Sequence, residues 1–403
     1  MTDPLHFARP LSPPGLDIPA SSATVDHGVN KGKRKSACPE YAHNPPKILD
    51  LIAYPYYSNT RLYLRSGTFW EPALRGHDGS HAPVYTFLVS RGNRHVLFDL
   101  GVRTDWEALP PKVVQLVKAT TEVTGCDRDI ASVLDDEAEN GGLRIRSSDI
   151  EAIVWSHTHF DHTGDPSRFP PTTELVVGPG VKSAFWPGYP TDPDGSVLDS
   201  DGAGRVVREV SFTAAPGTGG GPLRIGRFDA FDYFGDGSFY LLDAPGHAPG
   251  HMCGLARTTA DPPTFLLMGA DAGHHAGVLR PSRYLPLPRP ASSSGKDGPG
   301  TVVGCGACPG DLLMRLGAWK DPHGPFFEVA RGPSFSDHDA AMDTVAKVQE
   351  LDAAGNVLIL LAHDSSLDGR VQLFPERVND WQSQGLREST RWLFCKELEH
   401  AEP

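Results

Sequence analysis

The stretch "IEAIVWSHTHFDHTGD" (residues 150–165) joins a short apolar run to three histidines and an aspartate within six consecutive positions. Side chains two residues apart on an extended segment project to the same side, so His157 and His159 can hold one ion between them. Asp161 and His162 follow directly, where they can face a second ion. The stretch is predicted to be a strand that ends in a metal-binding tip.

Three further apolar runs end in the same way, in a polar or glycine-rich tip that carries histidine or aspartate. They are "FYLLDAPGHAPGH" (239–251), "TFLLMGADAGHH" (264–275) and "VLILLAHD" (357–364). Residues at strand ends can meet on one rim of a layered fold, where loops carry chemistry on a rigid scaffold. The four tips are therefore predicted to form one site.

The residue types at these tips indicate which chemistry they serve. Imidazole nitrogens and carboxylate oxygens are the ligands of hydrolytic zinc, and iron and manganese accept the same atoms. Two such ions about 3.5–4 Å apart can share a bridging carboxylate and a bridging hydroxide, which is a strong nucleophile near neutral pH. The pattern favours a metal site over a surface loop with histidines by chance, because three further tips of the same kind follow along the chain.

The remaining sequence alternates apolar runs with helical patterns, which indicates an α+β fold. Strand-like runs include "VYTFLVSRG" (84–92), and helical spacing is clear in "DHDAAMDTVAKVQELDAAG" (337–355) and "RESTRWLFCKELEH" (387–400). Residues 1–45 are predicted to be a flexible arm rich in proline and serine, followed by one hydrolase domain over residues 46–403. Segments 187–221 and 280–336 are predicted to be long loop inserts, the second forming part of a substrate wall.

Composition narrows the range of partners. A formal net charge of −13 disfavours a nucleic-acid backbone or an anionic membrane. Six cysteines are too few for a disulfide scaffold in 403 residues, and "CGAC" (305–308) lacks the second CxxC of a zinc site. No apolar run approaches the roughly 18–20 residues of a membrane span. We expect a cytoplasmic protein with a small-molecule substrate; the oligomeric state stays open.

Four motifs also carry a resemblance to a known family. "HTHFDH" resembles the HxHxDH signature of the metallo-β-lactamase superfamily, and "PGHAPGH", "GADAGHH" and "LLAHDSS" are similar to its later ligand motifs in the same order. The resemblance covers residues 48–399 and is strongest to N-acyl-homoserine lactonases and their fungal relatives. It implies a four-layer αββα sandwich with the site at one edge of the paired sheets.

Carried over by position, the resemblance implies two zinc ions, with iron or manganese as alternatives. His247 matches a supporting position, and Asp99 in "HVLFDLG" matches a residue that orients a site histidine from behind. The implied ligands are His157, His159 and His251 for the first ion, Asp161, His162 and His363 for the second, and Asp271 as the bridge.

The resemblance favours a two-metal hydrolase over the other chemistries of the superfamily. Its β-lactamases often have cysteine at the position of Asp271 and lack a counterpart of His162. Its oxygen-reducing di-iron members have glutamate at the position of His159. Its single-iron persulfide dioxygenases would leave His363 without a role.

One position departs from the lactonases, which carry a carbonyl-polarising tyrosine three residues after the bridging aspartate. Here that position is His274, so either His274 takes the polarising role, in catalysis with Asp271, or the substrate differs from a homoserine lactone. The predicted reaction is attack of a metal-bound hydroxide on a lactone or a related cyclic ester or amide. The alternatives are a thioesterase for a carrier- or CoA-bound polyketide, a lactamase that opens a cyclic amide toxin, and a non-catalytic metal-binding member.

Overall fold

The computed structural model describes residues 51–56, 60–213, 222–287, 309–316 and 324–403. The predicted arm (1–45) and the "CGAC" motif (305–308) lie outside these ranges, as does part of each predicted insert. No helix within these ranges is long and apolar enough to cross a lipid bilayer.

Most of the apolar runs seen in the sequence are strands. The strands of the described ranges are β1 (Leu51–Tyr56), β2 (Arg61–Arg65), β3 (Trp70–Glu71), β4 (Gly79–Ala82), β5 (Thr86–Arg91), β6 (Arg94–Phe98), β7 (Val123–Thr124), β8 (Ile150–Val154), β9 (Glu174–Val177), β10 (Val207–Glu209), β11 (Leu223–Ile225), β12 (Phe228–Asp232), β13 (Phe239–Asp243), β14 (Met252–Ala260), β15 (Pro263–Ala270), β16 (Glu328–Val329) and β17 (Val357–Leu361).

Helices connect and cover these strands. They are α1 (Pro111–Thr120), α2 (Ile130–Glu139), α3 (Phe160–Thr163), α4 (Val181–Phe185), α5 (Asp199–Gly202), α6 (Pro309–Arg315), α7 (His338–Ala353) and α8 (Leu386–Thr390).

Two six-stranded sheets form the centre of the molecule. The first has the order β1-β5-β6-β8-β9-β10, antiparallel from β1 to β6 and parallel from β6 to β10. The second has the order β11-β12-β13-β14-β15-β17, antiparallel except for the last, parallel pair. Two smaller sheets, β4-β2-β7 and β3-β16, lie beside them.

The apolar side chains divide into three clusters that define the layers. The cluster between the sheets contains side chains of both, such as Val89 and Phe98 of the first and Phe239 and Leu241 of the second. The cluster outside the first sheet includes residues of α2, and the cluster outside the second includes residues of α7. The arrangement is a four-layer αββα sandwich, which confirms the predicted fold class.

Strand β14 has no counterpart among the predicted strands. Its sequence "MCGLARTTA" contains glycine, arginine and threonine and so lacks an apolar run, although Met252 to Thr258 are all buried. The strand is buried because it lies between β13 and β15 in the second sheet, which its composition alone does not indicate.

The C-terminal prediction of one helix over residues 387–400 is wrong in detail. The structure has the short helix α8, and then a separate 3-10 turn over Leu393–Lys396. Trp392 stands between them with φ −113° and ψ 10°, outside helical values. Its ring is buried and packs on Phe394, so tertiary packing overrides the helical pattern here.

Candidate metal centre

The opening stretch folds as a strand end followed by one helical turn. Strand β8 ends at Val154, and α3 begins at Phe160, so His157 and His159 lie on the connection and Asp161 and His162 in the helical turn. The other tips follow β13, β15 and β17 of the second sheet. The candidate site therefore takes side chains from both sheets, at the edge where these strands end.

A first group of nitrogen atoms converges beside β8. Nε2 of His247 lies 3.2 Å from Nε2 of His157 and 2.9 Å from Nδ1 of His159. Oδ2 of Asp271 lies 3.2 Å from Nε2 of His247 and 3.6 Å from Nε2 of His157. Two atoms bound to one tetrahedral zinc at about 2.0–2.1 Å are separated by about 3.3 Å, so these spacings suit one ion.

A second group lies on the other side of the same carboxylate. Oδ2 of Asp161 is 3.5 Å from Nε2 of His162 and 3.3 Å from Nε2 of His363. Oδ1 of Asp271 is 3.2 Å from each of these two nitrogens. The two oxygens of Asp271 thus face two separate groups, as a bridging carboxylate would.

The histidines of "PGHAPGH" stand in the reverse of their predicted positions. His247 lies in the first group, whereas both ring nitrogens of His251 are engaged elsewhere: Nδ1 donates to the carbonyl of Ala244 over 2.7 Å, and Nε2 accepts from the backbone N–H of Asp271 over 3.2 Å. No lone pair of His251 is left for an ion. The resemblance implied His251 as the ligand and His247 as its support, whereas the structure brings His247 to the first group and leaves His251 behind it.

Acceptors behind the histidines set their orientation. Nδ1 of His162 donates to Oδ2 of Asp99 over 2.8 Å, and Nδ1 of His363 donates to the carbonyl of Pro83 over 2.9 Å. Each of these histidines therefore turns a free Nε2 toward the centre. The structure places Asp99 where the sequence indicated, while the Pro83 carbonyl comes from a distant loop and had no local signal.

The charges of the two groups differ. Burial lowers the pKa of His157 well below its usual value and lowers that of His247, so both are neutral imidazoles that present lone pairs. Burial opposes the charged form of His363 too, but Asp271 and Asp161 outweigh it and raise the pKa of His363 to about 10. In the protein without metal, the second group therefore binds a proton that a divalent ion would replace.

The donor set fits a divalent cation on further observations. Nε2 of His162 and Oδ1 of Asp271 are buried atoms without a hydrogen-bond partner in the structure. Buried polar atoms are nearly always partnered, so orphaned atoms that converge on one point indicate an ion. Nitrogen and carboxylate oxygen atoms in this number suit zinc.

His274 lies at the rim of the centre. Its Nε2 is 3.0 Å from Oδ2 of Asp271, and its ring stacks on His363 at 5.5 Å between centroids. The rings of Phe69 and Phe335 contact it at 4.6 and 5.5 Å. Neither phenylalanine was a candidate in the sequence, because each comes from a loop remote in the chain.

His275, its neighbour, points away into another cluster. His77, His275 and Glu397 bring their donor atoms within 4.8 Å of one another. Nδ1 of His275 accepts the N–H of Gly277 over 2.9 Å, so in the neutral ring Nε2 carries the proton and has no lone pair for an ion. This cluster lacks the feature that His162 and His363 share, a Nδ1 that donates.

Comparison with known proteins agrees with the fold. A model of the metallo-beta-lactamase superfamily matches residues 80–257. The chain is 52% identical to the metallo-hydrolase mfmC of Annulohypoxylon moriforme, over 96% of this chain and 91% of that protein. It is 41% identical to the gamma-lactamase FDB1 of Fusarium pseudograminearum, over 95% of this chain and 84% of that protein.

Two other matches are partial or remote. The chain is 46% identical to the cytochrome P450 monooxygenase mpaDE of Penicillium roqueforti, but its matched 98% spans only 40% of that longer protein. A solved N-acyl homoserine lactone hydrolase, with the product N-hexanoyl-L-homoserine at its catalytic metal centre, superposes with a TM-score of 0.50. It is 14% identical, over 81% of this chain and 99% of that one, which shows a shared fold.

The chain belongs to the metallo-beta-lactamase superfamily. It is a metal-dependent hydrolase, in agreement with the names of these relatives.

Proposed function

We propose that the chain is a two-metal hydrolase that opens a lactone or a related cyclic ester or amide. The observation that carries this proposal is the position of Asp271, whose two carboxylate oxygens face two separate groups of histidines at 3.2–3.6 Å. Two ions held in these groups would supply the nucleophile and the electrophile of hydrolysis at adjacent points. The names of the relatives, a gamma-lactamase and a lactone hydrolase, support a cyclic substrate.

The residues of each ion site follow from the distances. We call the place between His157, His159, His247 and Oδ2 of Asp271 the first site. The place between Asp161, His162, His363 and Oδ1 of Asp271 is the second site. Zinc is the ion proposed for both, on the basis of the ligand atoms.

The chemistry of the centre divides between ions and side chains. Two ions in these sites would acidify a water molecule and polarise the carbonyl of the substrate. Asp271 holds the two halves of the centre together and keeps a negative charge beside them: burial opposes its ionisation, but His162, His363 and His274 hold its pKa well below the usual value. His159 is the exposed member of the first site, so the substrate approaches from that side.

His274 is proposed to supply the proton that the leaving group needs. The Nε2–H of His274 donates to Oδ2 of Asp271 at 3.0 Å, which holds that proton at the centre. An alkoxide or amide anion released on ring opening must be protonated. His274 would pass it the Nε2 proton and recover one, through Asp271, from the attacking water, so that the ring ends neutral. Phe69 and Phe335 cover the ring and exclude bulk water from it.

The same phenylalanines give the proposed pocket an apolar wall. Phe335 lies within the predicted insert 280–336 and also contacts the ring of His247 at 5.1 Å. A polar centre with apolar walls is typical of small-molecule sites. We therefore propose that Phe335, near the end of this insert, forms part of the substrate wall.

The test is elemental analysis of the purified protein together with a screen of substrates. We expect two equivalents of zinc per chain, and turnover of lactones or cyclic amides that stops when a chelator removes the ions. Acyclic thioesters serve as the comparison. Turnover of thioesters alone, or full activity in metal-free protein, would refute the proposal.

A further inference from the structure

The two ion sites differ in what holds their histidines. In the second site, Nδ1 of His162 donates to a carboxylate at 2.8 Å, and Nδ1 of His363 donates to a carbonyl at 2.9 Å. In the first site, Nδ1 of His157 donates to the hydroxyl of Ser156 at 3.0 Å, and the buried Nδ1 of His247 has no partner in the structure. The first site therefore depends on one neutral hydroxyl.

The charges favour the second site as well. It has a carboxylate of its own, Asp161, as well as Oδ1 of Asp271, and the carboxylate of Asp99 stands directly behind His162. The first site has only Oδ2 of Asp271 among its neutral histidines. Coulomb attraction for a divalent ion grows with the negative charge at short range, so the second site binds more tightly.

Ser156 stands between the two sites. It is fully buried, and its backbone N–H donates to Oδ1 of Asp99 over 2.7 Å. Its side chain is also hydrogen-bonded to the carboxylate of Asp99. The same hydroxyl oxygen lies 3.0 Å from Nδ1 of His157 and 3.5 Å from Nδ1 of His162.

We propose that Ser156 is a positioning residue that links the two sites through Asp99, and that loss of its hydroxyl releases the ion of the first site while the second site keeps its own. The inference rests on the proposed two-metal function. Without the hydroxyl, the Nδ1–H of His157 has no acceptor, and nothing holds the Nε2 lone pair of His157 toward the ion. The second site keeps the direct bond from His162 to Asp99.

The experiment compares Ser156→Ala with a matched variant, Ser90→Ala. Ser90 is also buried, and its hydroxyl bonds Nδ1 of His95 at 2.9 Å, away from the centre. The zinc-loaded proteins are dialysed against graded chelator, and the zinc per chain is counted. Outer-shell partners change metal affinity by about 10–100-fold, so Ser156→Ala is expected to lose one ion at a free-zinc concentration higher by about that factor. Ser90→Ala is expected to follow the wild type.

Nitrogen NMR of the histidine rings identifies the ion that remains. In the one-ion form, the Nε2 signals of His162 and His363 are expected to keep their metal-bound shifts, while those of His157 and His247 lose them. A second variant, Asp99→Asn, is expected to weaken both sites, because Asp99 holds His162 directly and His157 through Ser156.

The outcomes separate this inference from the function on which it rests. A wild type with two ions, together with a Ser156→Ala variant that keeps both or loses both at one concentration, overturns the linking role and leaves the two-metal function intact. If Ser156→Ala does not fold, Asp99→Asn provides the test. An Asp99→Asn variant that loses only the second ion would overturn the linking role of Ser156. A wild type that binds no zinc overturns the function and the inference together.

Discussion

Nε2 of His247 lies 3.2 Å from Oδ2 of Asp271, whereas His251, four residues later, uses both ring nitrogens for backbone groups. We expect His247→Ala to lose one zinc ion and to lower kcat by more than about 100-fold. Loss of a residue that only supports a ligand costs up to about 100-fold, and loss of a ligand itself should cost more. His251→Ala is expected to keep the first-site ligands but to reduce the free energy of unfolding by about 2–4 kcal/mol, because buried partners are left unpaired. Zinc analysis and denaturant unfolding distinguish the two. Equal zinc loss in both variants would contradict the assignment.

Asp271→Asn keeps the shape of the bridge and removes its charge. The side-chain amide would turn an N–H toward nitrogen atoms that need a negative partner. We expect fewer than two zinc ions per chain and a fall in kcat of more than about 1000-fold, since each ion loses its shared carboxylate. Asp261→Asn, at an exposed turn, controls for the loss of one charge. Activity near that of the control would rule out a bridging role.

His274→Phe tests the proton donor without disturbing the ions. Phenylalanine fills the space between Phe69 and Phe335 but carries no proton to give. The expected result is an unchanged zinc content and a kcat lowered by about 100–10,000-fold, the contribution of general acid catalysis. His81→Phe, at an exposed position on β4, is the control. A normal kcat in His274→Phe would remove it from the mechanism.

Gly246→Ala tests the turn that presents His247. Gly246 has φ +122°, and a Cβ there would lie 2.1 Å from the backbone nitrogen of Ala341. Gly235 also has a positive φ, +76°, but a Cβ there meets nothing within 4 Å. We expect Gly235→Ala to cost about 1–2 kcal/mol for the left-handed backbone alone. Gly246→Ala is expected to cost more than this and to release zinc, as thermal unfolding and zinc analysis can show.

Asp201 gives the protein a pH-dependent stability that is separate from the metal centre. Burial is the main cause that raises its pKa to about 7, against the bond from the N–H of Leu198 and the charge of Arg103. Because the folded value lies above that of the unfolded chain, the protonated form favours folding. Its contribution is complete below about pH 4 and is lost as the pH rises to about 7. Across that range, each pH unit lowers the free energy of unfolding by about 1.4 kcal/mol.

Asp201→Asn removes this titration. The stability of the variant relative to the wild type is expected to rise between about pH 4 and pH 7 and to stay level above that range. Unfolding in urea across this range measures the difference, with the exposed Asp194→Asn as the control for lost charge. A difference that does not vary with pH would show that Asp201 is ionised throughout.

The α+β class of the fold and the tips of the strands could be predicted because both are local patterns, whereas the four-layer arrangement was implied by the family resemblance. Each tip follows an apolar run directly, so its position at a strand end is readable from a few neighbouring residues. The choice between His247 and His251 was not readable in this way, because it depends on the carbonyl of Ala244 and on the turn at Gly246. Those determine which imidazole has a free lone pair.

Long-range neighbours of the centre had no signal in the sequence. Phe69, Pro83 and Phe335 reach it from loops whose positions depend on packing of the whole domain. Ser156 is the exception, because it directly precedes His157 in the sequence. Its hydroxyl therefore lies close to Nδ1 of that histidine. The boundary between the predicted arm and the domain stays a prediction.

Each proposed site takes ligands from both six-stranded sheets, since His157 to His162 follow β8 of the first and His247, Asp271 and His363 follow strands of the second. An ion in either site is therefore a cross-link between the two halves of the sandwich. Sliding one sheet along the other would stretch bonds at both ions at once, so zinc should resist mechanical shear of the interface as well as heat. Zinc affinity therefore reports how closely the two sheets pack against each other. A core variant far from the centre that shifts one sheet should release zinc before any secondary structure is lost.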